Sequence, residues 1–236
     1  MKRNHLLNVF LVILAMTGHA AVASNEAVDG ITPPPAEWTD AKRAAVQWVD
    51  THHGLVNGLS MDLWKFAEPG MLEYKSAKLL TDALEEQGFT VERGVAGMPT
   101  AFTARFGTEK PVIGILAEYD ALGGLSQKPV SKADPVVKGA AGHGCGHSLF
   151  GAGSVGAAMA VAQSIKDGTI KGSIVLFGTP NEEGVVGKAY MARDGIFNGL
   201  DACLHWHPAD KNRVSTGESA NDLTSFVVAF HGRTAH

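Results

Sequence analysis

Two short runs constrain the fold of this chain most. Residues 111–117 and 172–178 are apolar almost without interruption, through Val112, Ile113, Ile115 and Leu116 in the first and Ile174, Val175, Leu176 and Phe177 in the second. A strand that faces water on one side alternates apolar with polar; a strand covered on both faces does not. Both runs therefore read as strands in the middle of a sheet with helices packed on either side. Each ends in a polar stretch: Glu118-Tyr119-Asp120 after the first, Asn181-Glu182-Glu183-Gly184 after the second. In open α/β sheets, sites gather at the carboxyl ends of strands.

The remaining pattern is consistent with alternating strands and helices. Residues 38–56 show helical spacing, and a second helix is expected over 60–66. A third is expected over 73–87, closed by Gly88. Strands are expected at 89–92, 100–106 and 201–206, and helices at 148–165 and 187–197. Gly151, Gly153 and Gly156 match the dinucleotide spacing G-x-G-x-x-G. No strand leads directly into them, so small residues for close helix packing explain them better than a nicotinamide site.

Chemistry concentrates in 142–147, Gly-His-Gly-Cys-Gly-His, where two imidazoles and a thiol are separated only by glycine. Glycine permits tight turns and close approach, and thiolate, imidazole and carboxylate together suit zinc or a similar borderline cation. Of the adjacent Glu182 and Glu183, one can bind a cation while the other faces substrate. The expected strand 201–206 delivers His205 and His207. Cys145 and Cys203 are the two cysteines; a disulfide is the alternative to a thiolate ligand, with Cys203 read as a packing residue. A net charge of −4 suggests no basic face for nucleic acid.

The ends carry separate expectations. Residues 1–23 resemble a secretory signal peptide: Lys2 and Arg3, an apolar stretch over 6–16, then small residues around Ala23. Export to the periplasm or medium follows, with no membrane anchorage after cleavage. Residues 24–37, with three consecutive prolines, are expected to be a leader. A new strand is expected at 224–230, and the sequence stops six residues later.

Cys145-Gly146-His147, Glu182-Glu183-Gly184 and Leu204-His205 together resemble the motifs of the aminoacylase and carboxypeptidase G family of dizinc metallopeptidases, closest to its amidohydrolase branch. The resemblance covers about residues 38–236. It implies an α/β fold: a three-layer catalytic domain over 38–213 with a mixed, largely parallel sheet, then the start of an α+β lid and dimerisation domain over 214–236. It implies two divalent metal ions, zinc with manganese as the alternative, held by Cys145, His147, Glu183 and His205. Glu182 is the implied general base and Asp120 an acid near the site. His236 is the residue that reaches into a partner's site. His207 falls beside the ligand position and is left aside; His143 is a neighbour to the site. The implied substrate is a small N-acyl amino acid or dipeptide-like amide of the aminobenzoyl-glutamate kind, and the implied full-length assembly is a homodimer or related heteromer. Gly123 stands where the family usually has proline. The family's lid and a further histidine ligand lie beyond residue 236, so a binding-only fragment is the alternative to an active hydrolase.

Overall fold

The computed structural model describes residues 38–211, 229, 231 and 232. The expected signal peptide, the leader, the strand at 224–230 apart from Ala229, and His236 lie outside the described residues. In chain order the elements are α1 (Asp40–Phe66), α2 (Tyr74–Glu86), β1 (Thr90–Arg93), β2 (Phe102–Phe106), β3 (Val112–Ala117), α3 (His147–Lys166), β4 (Ser173–Gly178), α4 (Gly187–Arg193) and β5 (Ala202–Leu204).

The five strands form one sheet in the order β1-β2-β4-β3-β5. β3 pairs in parallel with β4 and with β5, while β2 pairs antiparallel with β1 and with β4. The two non-alternating runs are thus adjacent interior strands, and among the five strands of this sheet parallel pairing involves only them and β5. Their side chains divide between two layers. Ile113, Ile115, Ile174 and Leu176 meet α1, α2 and α3 on one face. Val112, Val175 and Phe177 meet Met191 of α4 and the segment carrying Val95 and Met98 on the other. The fold is three-layered for this reason.

Most expected boundaries shift by one or two residues, and three departures bear on the fold. The two helices foreseen over 38–56 and 60–66 are one, α1, capped by Thr39, whose side chain accepts the Lys42 amide at 3.3 Å. Gly54 and Gly58 lie inside it. Each disfavours a helix by roughly 1 kcal/mol, but burial of Trp48, Leu59 and Leu63 on both sides of the glycines outweighs them. α4 ends at Arg193 rather than 197, because Gly195 turns left-handed (φ 73°). β5 is three residues long, not six, and its Cys203 is exposed rather than packed inside.

α3 is apolar and long enough to cross a membrane. Here it is the central core helix, packed between α1 and the sheet. Its three motif glycines lie at contacts. A Cβ on Gly151 would sit 2.9 Å from the Glu118 carbonyl, one on Gly153 2.8 Å from Trp206, and one on Gly156 2.7 Å from Val56. Close packing, not a nucleotide, explains them.

Candidate metal centre

Gly146 adopts φ 84° and turns the chain from Cys145 into His147, the first residue of α3. His147 is wholly buried, and the site is arranged around its imidazole. Nδ1 lies 2.9 Å from Asp120 Oδ1, so with the proton there it donates to the carboxylate and leaves Nε2 free. Asp120, also buried, accepts the Glu183 amide at 2.9 Å through Oδ2. One carboxylate from the end of β3 thus orients both a histidine of the α3 loop and the loop after β4.

His147 Nε2 faces a ring of donor atoms: Glu118 Oε2 at 3.0 Å, His207 Nε2 at 3.4 Å, Glu182 Oε2 at 3.9 Å and Glu183 Oε1 at 4.0 Å. Cys145 Sγ is 3.4 Å from the same His207 nitrogen. His205 is placed differently. Its Nε2 is 3.3 Å from Glu118 Oε1, which also pairs with Lys188 of α4. His205 and His207 both turn toward this cluster, against Glu118 and His147 respectively, while Trp206 between them donates to Ser154 Oγ at 2.9 Å.

The charges are strongly coupled. Burial pushes the Glu118 carboxyl upward, but His147, His205 and Lys188 overcome it and hold the group well below the usual carboxylate range. Burial lowers the His147 imidazole, yet Asp120 and Glu118 raise it to about 10. Burial, then the neighbouring Glu183, Glu182 and Glu118, push the Cys145 thiol up to about 12. Glu182 is raised by burial and by Glu118. A pocket whose acids hold protons on a thiol and an imidazole has excess negative charge.

That donor set fits a divalent cation. Glu118 Oε2 and Glu183 Oε1 are buried without a hydrogen bond, and both are near His147 Nε2. Ligand atoms bound at roughly 2.0–2.3 Å to one ion stand about 3–4 Å apart, the spacing found here. Among the described residues, two overlapping groups have their ligand atoms within 4.8 Å of one another, Cys145–His147–His207 and Glu118–His147–Glu182. Cys145, His147 and Glu183 are therefore brought together as expected, with Glu182 beside them. His205 lies one donor away, against Glu118. His207 and Glu118 enter the ring although the resemblance assigns them no ligand role. The shared face of an extended His-x-His is the sequence signal that points to His207. His143 is buried behind the site, with Nε2 3.0 Å from the Leu63 carbonyl. Both cysteines are free, so the disulfide alternative does not hold.

Residues 114–220 match the model of peptidase family M20/M25/M40. One of the subunits of the Escherichia coli p-aminobenzoyl-glutamate hydrolase is 43% identical over 176 residues, 74% of this chain and 36% of that protein. A dinuclear metal binding peptidase of the M20 family from Bacillus subtilis superposes with a TM-score of 0.59 at 27% identity, over 68% of this chain and 44% of that one. An aminobenzoyl-glutamate utilization protein from Klebsiella pneumoniae shares the fold at 16% identity, with a TM-score of 0.52 over 70% of this chain and 46% of that one. The chain thus spans less than half the length of these relatives. Residues 114–220 are thus a peptidase family M20/M25/M40 domain.

Proposed function

We propose that this chain supplies the metal-binding part of an exported amidohydrolase that cleaves small N-acyl amino acids, with p-aminobenzoyl-glutamate as the first substrate to try. The observation that carries the reading is the convergence of Cys145, Glu118, Glu182, Glu183 and His207 on His147. Cys145, His147, Glu183 and a histidine of the 205–207 segment would hold two divalent ions, zinc in the first instance. When bound, such ions supply a Lewis acid that acidifies water and polarises the scissile carbonyl.

The chain's own residues do the rest. Glu183 is the more enclosed of the two adjacent acids, with 21% of its side chain exposed against 36% for Glu182. Glu183 therefore suits a ligand role and Glu182 can reach water and substrate. Burial and the Glu118 charge raise the affinity of Glu182 for a proton, as a general base near neutral pH requires. Glu182 takes the proton from the attacking water and passes it to the departing amide nitrogen. Asp120 keeps His147 and the Glu183 backbone in register throughout.

The Escherichia coli relative is one subunit of its hydrolase, which supports an oligomeric full-length protein here, a homodimer or related heteromer. The composition of residues 1–23 supports export, which N-terminal sequencing of the mature protein tests. The function is tested with Glu182→Gln in the full-length protein. Metal content is expected to stay at wild-type level while hydrolysis falls by about 10²–10⁴-fold. Retained turnover would remove Glu182 from the role of base, and bound metal without wild-type turnover on any N-acyl amino acid would assign binding alone.

A further inference from the structure

Glu73 is wholly buried at the N-terminus of α2, and among the described residues hydrogen bonds, not a cation, hold it. Burying a carboxylate without a counter-charge is costly and persists where hydrogen bonds replace the lost water. The side chain does not cap its own helix. Glu68 does that instead, accepting the Lys75 amide at 3.1 Å, the Ser76 amide at 2.8 Å and the Ser76 hydroxyl at 2.7 Å.

Glu73 reaches across to the loop after β4. Its Oε1 accepts the Asn181 amide at 2.8 Å, and its Oε2 accepts the Thr100 hydroxyl at 2.8 Å. Asn181 directly precedes Glu182 and has a left-handed backbone (φ 57°). It is pressed against Gly70 so closely that a Cβ there would lie 1.9 Å from Asn181 Oδ1. The amide two residues on, Glu183, is held by Asp120. Glu182 therefore sits between two backbone amides, each anchored to a different buried carboxylate.

We propose that Glu73 is a positioning residue for amide hydrolysis: its carboxylate clamps the Asn181 N–H and thereby aims Glu182 at water and substrate. This rests on Glu182 being the proton acceptor. It acts through the backbone, so it alters proton transfer without touching metal or substrate.

The test uses Glu73→Met, Glu73→Gln and Glu73→Asp in the full-length, metal-loaded protein, with p-aminobenzoyl-glutamate as probe and amide exchange measured residue by residue. Glu73→Gln keeps one acceptor for Asn181 and is expected to retain kcat near wild type. Glu73→Met removes the clamp. It is expected to lower kcat by about tenfold to a hundredfold, leave KM and metal content unchanged, and speed exchange at Asn181 ahead of the core strands. Adding Glu73→Met to Glu182→Gln should then slow the reaction no further, since the two act as a unit. A folded Glu73→Met with wild-type kcat would overturn the proposal, as would equal kcat losses in the Gln and Met variants. If the Met variant fails to fold, Glu73→Asp decides. It keeps the charge but is one methylene too short to reach both partners, and wild-type kcat with unchanged Asn181 exchange there would also overturn it. Turnover surviving in Glu182→Gln would refute the proton-acceptor role instead, while the exchange rates would still report on the clamp.

Discussion

At the scale of single residues, Asp120 has two assignments and both oxygens are committed. Oδ1 meets His147 Nδ1, and Oδ2 meets the Glu183 amide. Asparagine at this position would present one acceptor where two donors must be met. Asp120→Asn is therefore expected to weaken zinc binding by about 10–100-fold, the usual effect of removing a carboxylate behind a ligating histidine. Competition with a chromogenic chelator would measure it, and unchanged affinity would show that Asp120 does not orient the ligands. Asp120 is an orienting acid, where the sequence motif alone indicated only an acid close to the site. His207 could be read from the alternation of an extended His-x-His. Glu118 was visible as one of two acids after a buried strand, but nothing in the motif placed its Oε2 3.0 Å from His147.

At the scale of elements, α3 sets the distance between the cysteine–histidine loop and the end of β3. Gly151 is a point of close approach to that end, with the Glu118 carbonyl and Leu63 beside it. A branched side chain there must push the helix off its neighbours. Gly151→Val should cost about 1–3 kcal/mol in denaturant unfolding from overpacking, and should also weaken metal binding, because Glu118 and His147 would separate. A variant as stable as wild type would show that the helix can shift without strain. The glycine spacing that resembles a dinucleotide fingerprint is a packing pattern, and the missing strand before it was the clue in the sequence. The continuity of α1 was not legible in the same way. Gly54 and Gly58 argue for a break locally, and only burial of Trp48, Leu59 and Leu63 against the core keeps the helix whole.

At the scale of the whole molecule, the sheet collects loops from β3, β4 and β5 at one end, and with the 142–147 loop they surround His147. Excess negative charge collects with them, so a bound cation should stabilise the fold. Mass action gives about 4 kcal/mol when free metal is about 1,000 times its Kd, so zinc should raise Tm and a chelator should reverse the rise. The increment should grow with pH. His147 is held protonated up to about 10 and Cys145 up to about 12; a cation needs the neutral imidazole and the thiolate, so binding expels protons. Melting at about pH 6 and about pH 8, with and without zinc, checks the sign, and a smaller shift at the higher pH would contradict the assigned ligands. The class of fold, its two central strands and the positions of Cys145, His147, Glu182 and Glu183 at strand and loop ends were determined by the sequence itself, because apolar periodicity and the polar breaks after it are local properties. The tertiary structure alone decided the ring around His147, the separation of His205 from it, and the reach of Glu73 to Asn181. Those depend on distances between segments 27 to 108 residues apart, and only packing of the helices on the sheet sets such distances.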